Sequence, residues 1–93
     1  MEILALYITF HAGEVHSLKE KRSIMQRLTQ RIRNTWPVCV MEVAKQDTWQ
    51  TIVLGIVIAA HHKQQADSIA DQIIALAEQD KETVISHIER EWR

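Results

Sequence analysis

The sequence predicts an α+β fold: a four-stranded antiparallel sheet with two helices on one face. Three observations predict it. Apolar residues alternate over residues 2–11 and crowd residues 51–60, as strands require. Apolar residues recur every three or four positions over residues 18–34 and 64–79, as helices with one buried side require. With shorter strands at 38–44 and 83–91 the order is βαββαβ. Two split βαβ units of this length close most economically as a ferredoxin-like plait, with the first and third strands central.

Each element has its own reason. In the first strand Leu4, Leu6, Ile8 and Phe10 fall on one face and Ala5, Tyr7, Thr9 and His11 on the other. Ala12 to His16 is a loop. Ser17 and Glu20 stand at the spacing of a capping box, which opens the first helix. Ile24, Met25, Leu28 and Ile32 form its apolar stripe, and Trp36-Pro37 closes it because the residue before a proline is driven out of the α region. Val38 to Ala44 is the second strand and Lys45-Gln46-Asp47-Thr48 the turn after it. There Asp47 suits an Asx-type turn and Trp49 an anchor at the sheet edge, although a polar and aromatic recognition loop would use the same residues. Thr51 to Ala60 is β-branched and almost wholly apolar, hence central. The second helix carries Ala66, Ile69, Ala70, Ile73, Ile74 and Ala77 at helical spacing. Thr83 to Glu91 is the last strand.

Ninety-three residues make one domain. The net charge of −1 excludes a global field toward nucleic acid, but the charge is uneven: residues 17–36 hold a local +5 and residues 64–82 a local −4. Cys39 is the only cysteine, which excludes an intrachain disulfide and a cysteine-rich zinc site. In its apolar strand it reads as a buried, inert thiol. The longest apolar run, Ile52 to Ala60, has nine residues, too few to span a bilayer. No basic lead precedes a signal-type run, so the expected setting is the cytoplasm, with no membrane partner.

Three segments, His16-Ser17-Leu18-Lys19-Glu20-Lys21-Arg22, Glu42-Val43-Ala44-Lys45-Gln46-Asp47-Thr48-Trp49-Gln50 and Glu89-Arg90-Glu91-Trp92, resemble in order and spacing the YlxP-like family, small bacterial proteins of unknown function. The resemblance covers essentially the whole chain. It implies a ferredoxin-like fold and no established activity, cofactor or catalytic residue. Members of that family are encoded in many bacteria beside translation-initiation and ribosome-maturation factors, so the resemblance implies a role near translation or ribosome assembly. Met41 and His61-His62 depart from the family's usual pattern.

Three surfaces invite a partner. Lys19, Lys21, Arg22, Arg27, Arg31 and Arg33 on the first helix form a ridge suited to RNA phosphates, of ribosomal RNA or beside a ribosomal protein; the plainer reading is a solvated face. At the start of that helix His16 and Ser17 suit a single phosphate, unless the capping box satisfies its own donors. The sheet face away from the helices carries Ala5, Tyr7, Val53, Val57 and Ala59 with no charge on its central strands, which predicts a homodimer packed sheet against sheet. Tyr7 is its only aromatic residue, too little for base stacking. His61 and His62 point opposite ways on a strand end, so no metal is expected. No nucleophile–base–orienter set can be assembled and no phosphate-binding glycine loop is present, so neither an enzyme nor a cofactor is expected. An enzyme would need a pocket gathering His16, Asp47 or His87. The expectation is a non-catalytic binding protein acting through RNA or a ribosomal component. The alternative is a dimeric regulatory module that binds a protein or small ligand and no RNA.

Overall fold

The computed structural model describes residues 1–44 and 49–93. The six elements are β1 (Glu2–His11), α1 (Leu18–Thr35), β2 (Cys39–Ala44), β3 (Thr51–Ala60), α2 (Lys63–Glu78) and β4 (Val84–Trp92). They form one antiparallel sheet in the order β2-β3-β1-β4. Every element falls within a residue of its expected bounds, because strong apolar periodicity and the Pro37 stop leave little room for drift. The expected turn at Lys45-Gln46-Asp47-Thr48 lies outside the described residues.

β1 and β3 pair along their whole length, from Glu2 opposite Ala60 to His11 opposite Thr51. This register puts Leu4, Leu6, Ile8 and Phe10 beside Ile52, Leu54, Ile56 and Ile58, all essentially sealed from solvent. α1 adds Ile24, Leu28 and Ile32 to that core. α2 adds Ile73 together with Ala66, Ala70 and Ala77, whose small side chains let the helix lie close to the sheet. Burying each large aliphatic side chain favours folding by about 1.5–3 kcal/mol, so this layer dominates the stability.

Ion pairs fasten the edges of the layer. Arg90 of β4 donates to Asp67 (2.8 Å) and Asp71 (2.6 Å) of α2. Arg27 of α1 donates to Asp80 (2.6 Å) and Glu82 (2.7 Å) in the α2–β4 connection. Asp80 also accepts from the Thr83 hydroxyl and the Glu82 backbone N–H. Burial alone would raise the Asp80 pKa, but the Thr83 and Arg27 hydrogen bonds, the Arg27 charge and the Glu82 N–H outweigh it and hold the carboxyl below its ordinary value of 3.8. A pKa depressed on folding stabilises the native state above the unfolded value, and the contribution is lost as pH falls through the folded value. Asp80→Asn should therefore cost about 1–3 kcal/mol at pH 7, and the deficit should shrink as pH drops below 3.8. Urea unfolding of both proteins at neutral and acid pH checks this; an equal difference at both refutes it.

Candidate functional site

The start of α1 is a closed cap. Ser17 accepts the Glu20 N–H through its hydroxyl (3.1 Å), and the Glu20 carboxylate accepts the His16 N–H (2.9 Å). The capping box is thus shifted by one residue on its return bond, since the sequence spacing points to the Ser17 N–H. A carboxylate already stands where His16 and Ser17 would receive a phosphate, which disfavours an anion there.

The six cations of α1 have four fates. Lys21 leaves the expected ridge altogether: only 1% exposed, it points under the helix and its Nζ lies 3.0 Å from Glu42 of β2. It sits on the helical stripe with Ile24, Leu28 and Ile32, where a long stem can be buried only if a counter-charge waits below. Arg27 is engaged by Asp80 and Glu82 on the α2 side. Arg33 donates one N–H to the Val40 carbonyl (2.7 Å), covering part of the free edge of β2. Lys19, Arg22 and Arg31 are exposed and enter no ion pair among the described residues. The outward ridge is thus Lys19, Arg22 and the remaining donors of Arg33, while Arg31, about 120° round the helix from Lys19, stands on the flank of Arg27. Beside it runs an open groove of about 450 Å³ between α1 and β2, walled by Arg22, Gln26, Gln30 and Arg33 and floored in part by Met25, Val40 and Met41.

The sheet face opposite the helices is open in the isolated subunit. Val57 is 46% exposed, Ala59 is exposed, and Tyr7 and Val53 are half-buried. Ala5, expected at a subunit interface, is only 5% exposed: its small side chain is shaded by Val57 and Glu91, its partners in the flanking strands. The apolar area extends where the sequence reading did not place it, onto β2, whose register sets Cys39 beside Val57 and Met41 beside Gly55. Cys39 is accordingly exposed rather than a buried thiol. β2 turns its charged residue, Glu42, inward toward Lys21, and this assigns Cys39 and Met41 to the open face. A depression of about 230 Å³ centres on Gly55, rimmed by Tyr7, Cys39, Met41, Val43 and Val57. A Cβ on Gly55 would come within 2.6 Å of Val43, so glycine permits Val43 to fold over the strand. Toward β4 the face becomes polar: Arg93 donates to the Tyr7 hydroxyl (3.1 Å) and to Glu91 (2.8 Å), and His87 lies 3.4 Å from Glu89.

The other sequence candidates are dispersed. Trp49 is about half exposed (47%), and the bonds at this corner come from Gln50, whose side chain donates to Gly13 and whose carbonyl accepts from Ala12. The His61 and His62 rings stand 6.5 Å apart at 52°. His16 lies in the loop before α1 and His87 on β4 opposite Thr9, and Asp47 lies outside the described residues. Among the described residues, no cluster of three His, Cys, Asp or Glu side chains could hold a metal ion, and no helix is long and apolar enough to cross a membrane.

Comparison with known proteins agrees with this architecture. A family model described as "Protein of unknown function (DUF503)" matches residues 3–90. The chain is 31% identical over 85 residues to the uncharacterized protein YlxP of Bacillus subtilis (strain 168), a match covering 91% of this chain and 89% of that protein. Among solved structures, a de novo designed protein with ferredoxin fold superposes with a TM-score of 0.51 at 18% identity, over 100% of this chain and 86% of the other.

Proposed function

We propose, from the premise that the chain belongs to the DUF503 family of proteins of unknown function, that it is a non-catalytic cytoplasmic binding protein. It acts near translation or ribosome assembly, contacts RNA or a ribosomal component through α1, and pairs with a second copy through its open sheet face. The observation that carries this reading is the charge imbalance of α1. Lys19, Arg22 and Arg31 stand in solvent without ion-pair partners among the described residues, while the one acid of the helix, Glu20, faces the His16 N–H. Uncompensated cations gathered on one helix of a chain of net charge −1 are a local feature suited to phosphates.

The test is titration of ribosomal RNA at two salt concentrations. With about three phosphate contacts, affinity should fall on the order of twenty- to fortyfold between 50 and 200 mM salt. Lys19→Glu combined with Arg22→Glu should abolish measurable binding; retention of the parent affinity overturns the reading. Arg27 is left intact because its guanidinium holds the α2–β4 connection. The Gly55 depression favours a second reading, a dimeric module with a small apolar ligand at the open face. Absence of RNA binding at low salt, together with a ligand-dependent rise in melting temperature, would select it.

A further inference from the structure

We infer that the RNA contacted by α1 is an A-form duplex, with the helix lying across its minor groove; this rests on the RNA reading above. The outward arc of α1 consists of Lys19, Arg22, Ser23, Gln26, Gln30 and Arg33, all exposed and none acidic. At about 100° per residue these six span only about 100° of the helix circumference. Their order along the axis is cation, neutral, cation. Lys19 and Arg22 stand toward the N-terminal end, Arg33 toward the C-terminal end, and Ser23, Gln26 and Gln30 between them. Arg22 and Arg33 are separated by about 16 Å of helix rise.

This pattern matches the chemistry of an RNA minor groove. That groove is wide and shallow, bordered by phosphates and lined with 2′-hydroxyls that both donate and accept. Arg22, Lys19 and Arg33 reach the borders, and the amides of Gln26 and Gln30, each able to donate and accept, meet the hydroxyls between them. Arg33 keeps donors for this after its single bond to the Val40 carbonyl.

Two competing nucleic acids fit worse. The major groove of B-form DNA is about 8.5 Å deep and takes a protruding helix. α1 does not protrude: Lys21, Ile24, Leu28 and Ile32 are embedded, and Arg27 fastens its α2 flank to Asp80 and Glu82. Single strands are held by stacking on exposed aromatic residues, and the arc has none.

The experiment is fluorescence anisotropy with three labelled probes: an RNA duplex of about 20 base pairs, long enough for a minor-groove reader, the DNA duplex of the same sequence, and the single RNA strand. The RNA duplex should bind at least about tenfold tighter than the other two, the size expected from two lost hydrogen bonds. Gln26→Ala with Gln30→Ala, both at exposed helix positions that alanine suits, should remove most of that preference and leave the salt slope unchanged. Arg22→Ala should weaken both duplexes and lower the slope by about one. Circular dichroism verifies that the variants are folded. Equal binding of the two duplexes, tighter binding of the single strand, or an undiminished preference in the double glutamine variant overturns the duplex inference while the RNA reading stands. Absence of binding to any RNA overturns both.

Discussion

Lys21→Ala is expected to lower folding stability by about 3–5 kcal/mol, the cost of leaving a buried partner charge uncompensated. Lys21 is 1% exposed and the Glu42 side chain only 12%, with 3.0 Å between Nζ and Oε2. The buried Oε2 of Glu42 accepts no hydrogen bond among the described residues, so the Lys21 charge is what compensates it. Removing the cation strands the carboxylate. Domains of this kind are held by about 5–15 kcal/mol, so the variant should approach the unfolding threshold. Lys21→Met should be nearly as costly, because it restores volume but not charge. Adding Glu42→Leu to Lys21→Met should recover most of the loss, because two well-packed apolar groups avoid both desolvation penalties. Urea unfolding with linear extrapolation reads all three. A loss below about 1 kcal/mol for Lys21→Ala, the range of exposed pairs, would show that Glu42 reaches water.

Val57→Glu is expected to convert the proposed dimer to monomer. Four strands at about 4.8 Å and nine residues at about 3.3 Å make a sheet face of about 19 by 30 Å. Packed on itself it buries on the order of 1,200 Å² in total, the lower limit of stable interfaces. An interface so small has no reserve: Val57, 46% exposed beside Cys39 and Ala5, stands in its apolar half. A carboxylate there has no cation opposite it on β2 or β1, where Cys39 and Ala5 are its neighbours, and the two-fold copy brings a second one. Sedimentation velocity across a concentration series should give a dimer for the parent and a monomer for the variant. Because Val57 is open in the single subunit, the melting temperature of the variant at low concentration should match that of the parent monomer. Persistence of the dimer in Val57→Glu would remove the open face as the interface.

The contrast between Lys21 and Ile24 shows what a local pattern conveys. Ile24, Leu28 and Ile32 announce a buried stripe because apolar groups leave water whatever lies opposite. Lys21 falls on the same stripe, yet a lysine is buried only with its counter-charge, and that charge comes from β2. The same nonlocality removed Arg27 from the ridge, its partners Asp80 and Glu82 lying 53 and 55 positions away in the chain. Glu42 is the other half of that dependence. A charge on a short apolar strand turns inward only where a cation meets it, and here it faces Lys21 of the helix, which exposes Cys39 and Met41. Ala5 erred in scale rather than direction: it lies on the expected face, but an alanine between Val57 and Glu91 has little surface left to offer.

The sequence by itself determined the element order, the bounds of each element, the capping-box start of α1 and the faces of the central strands, because periodicity, capping and the Pro37 stop act over a few residues. Only the tertiary structure decided which cations remain uncompensated and which face the short edge strand presents. Pairing two charges, or turning a strand by one residue, depends on groups brought together from distant parts of the chain, and no local pattern carries that information.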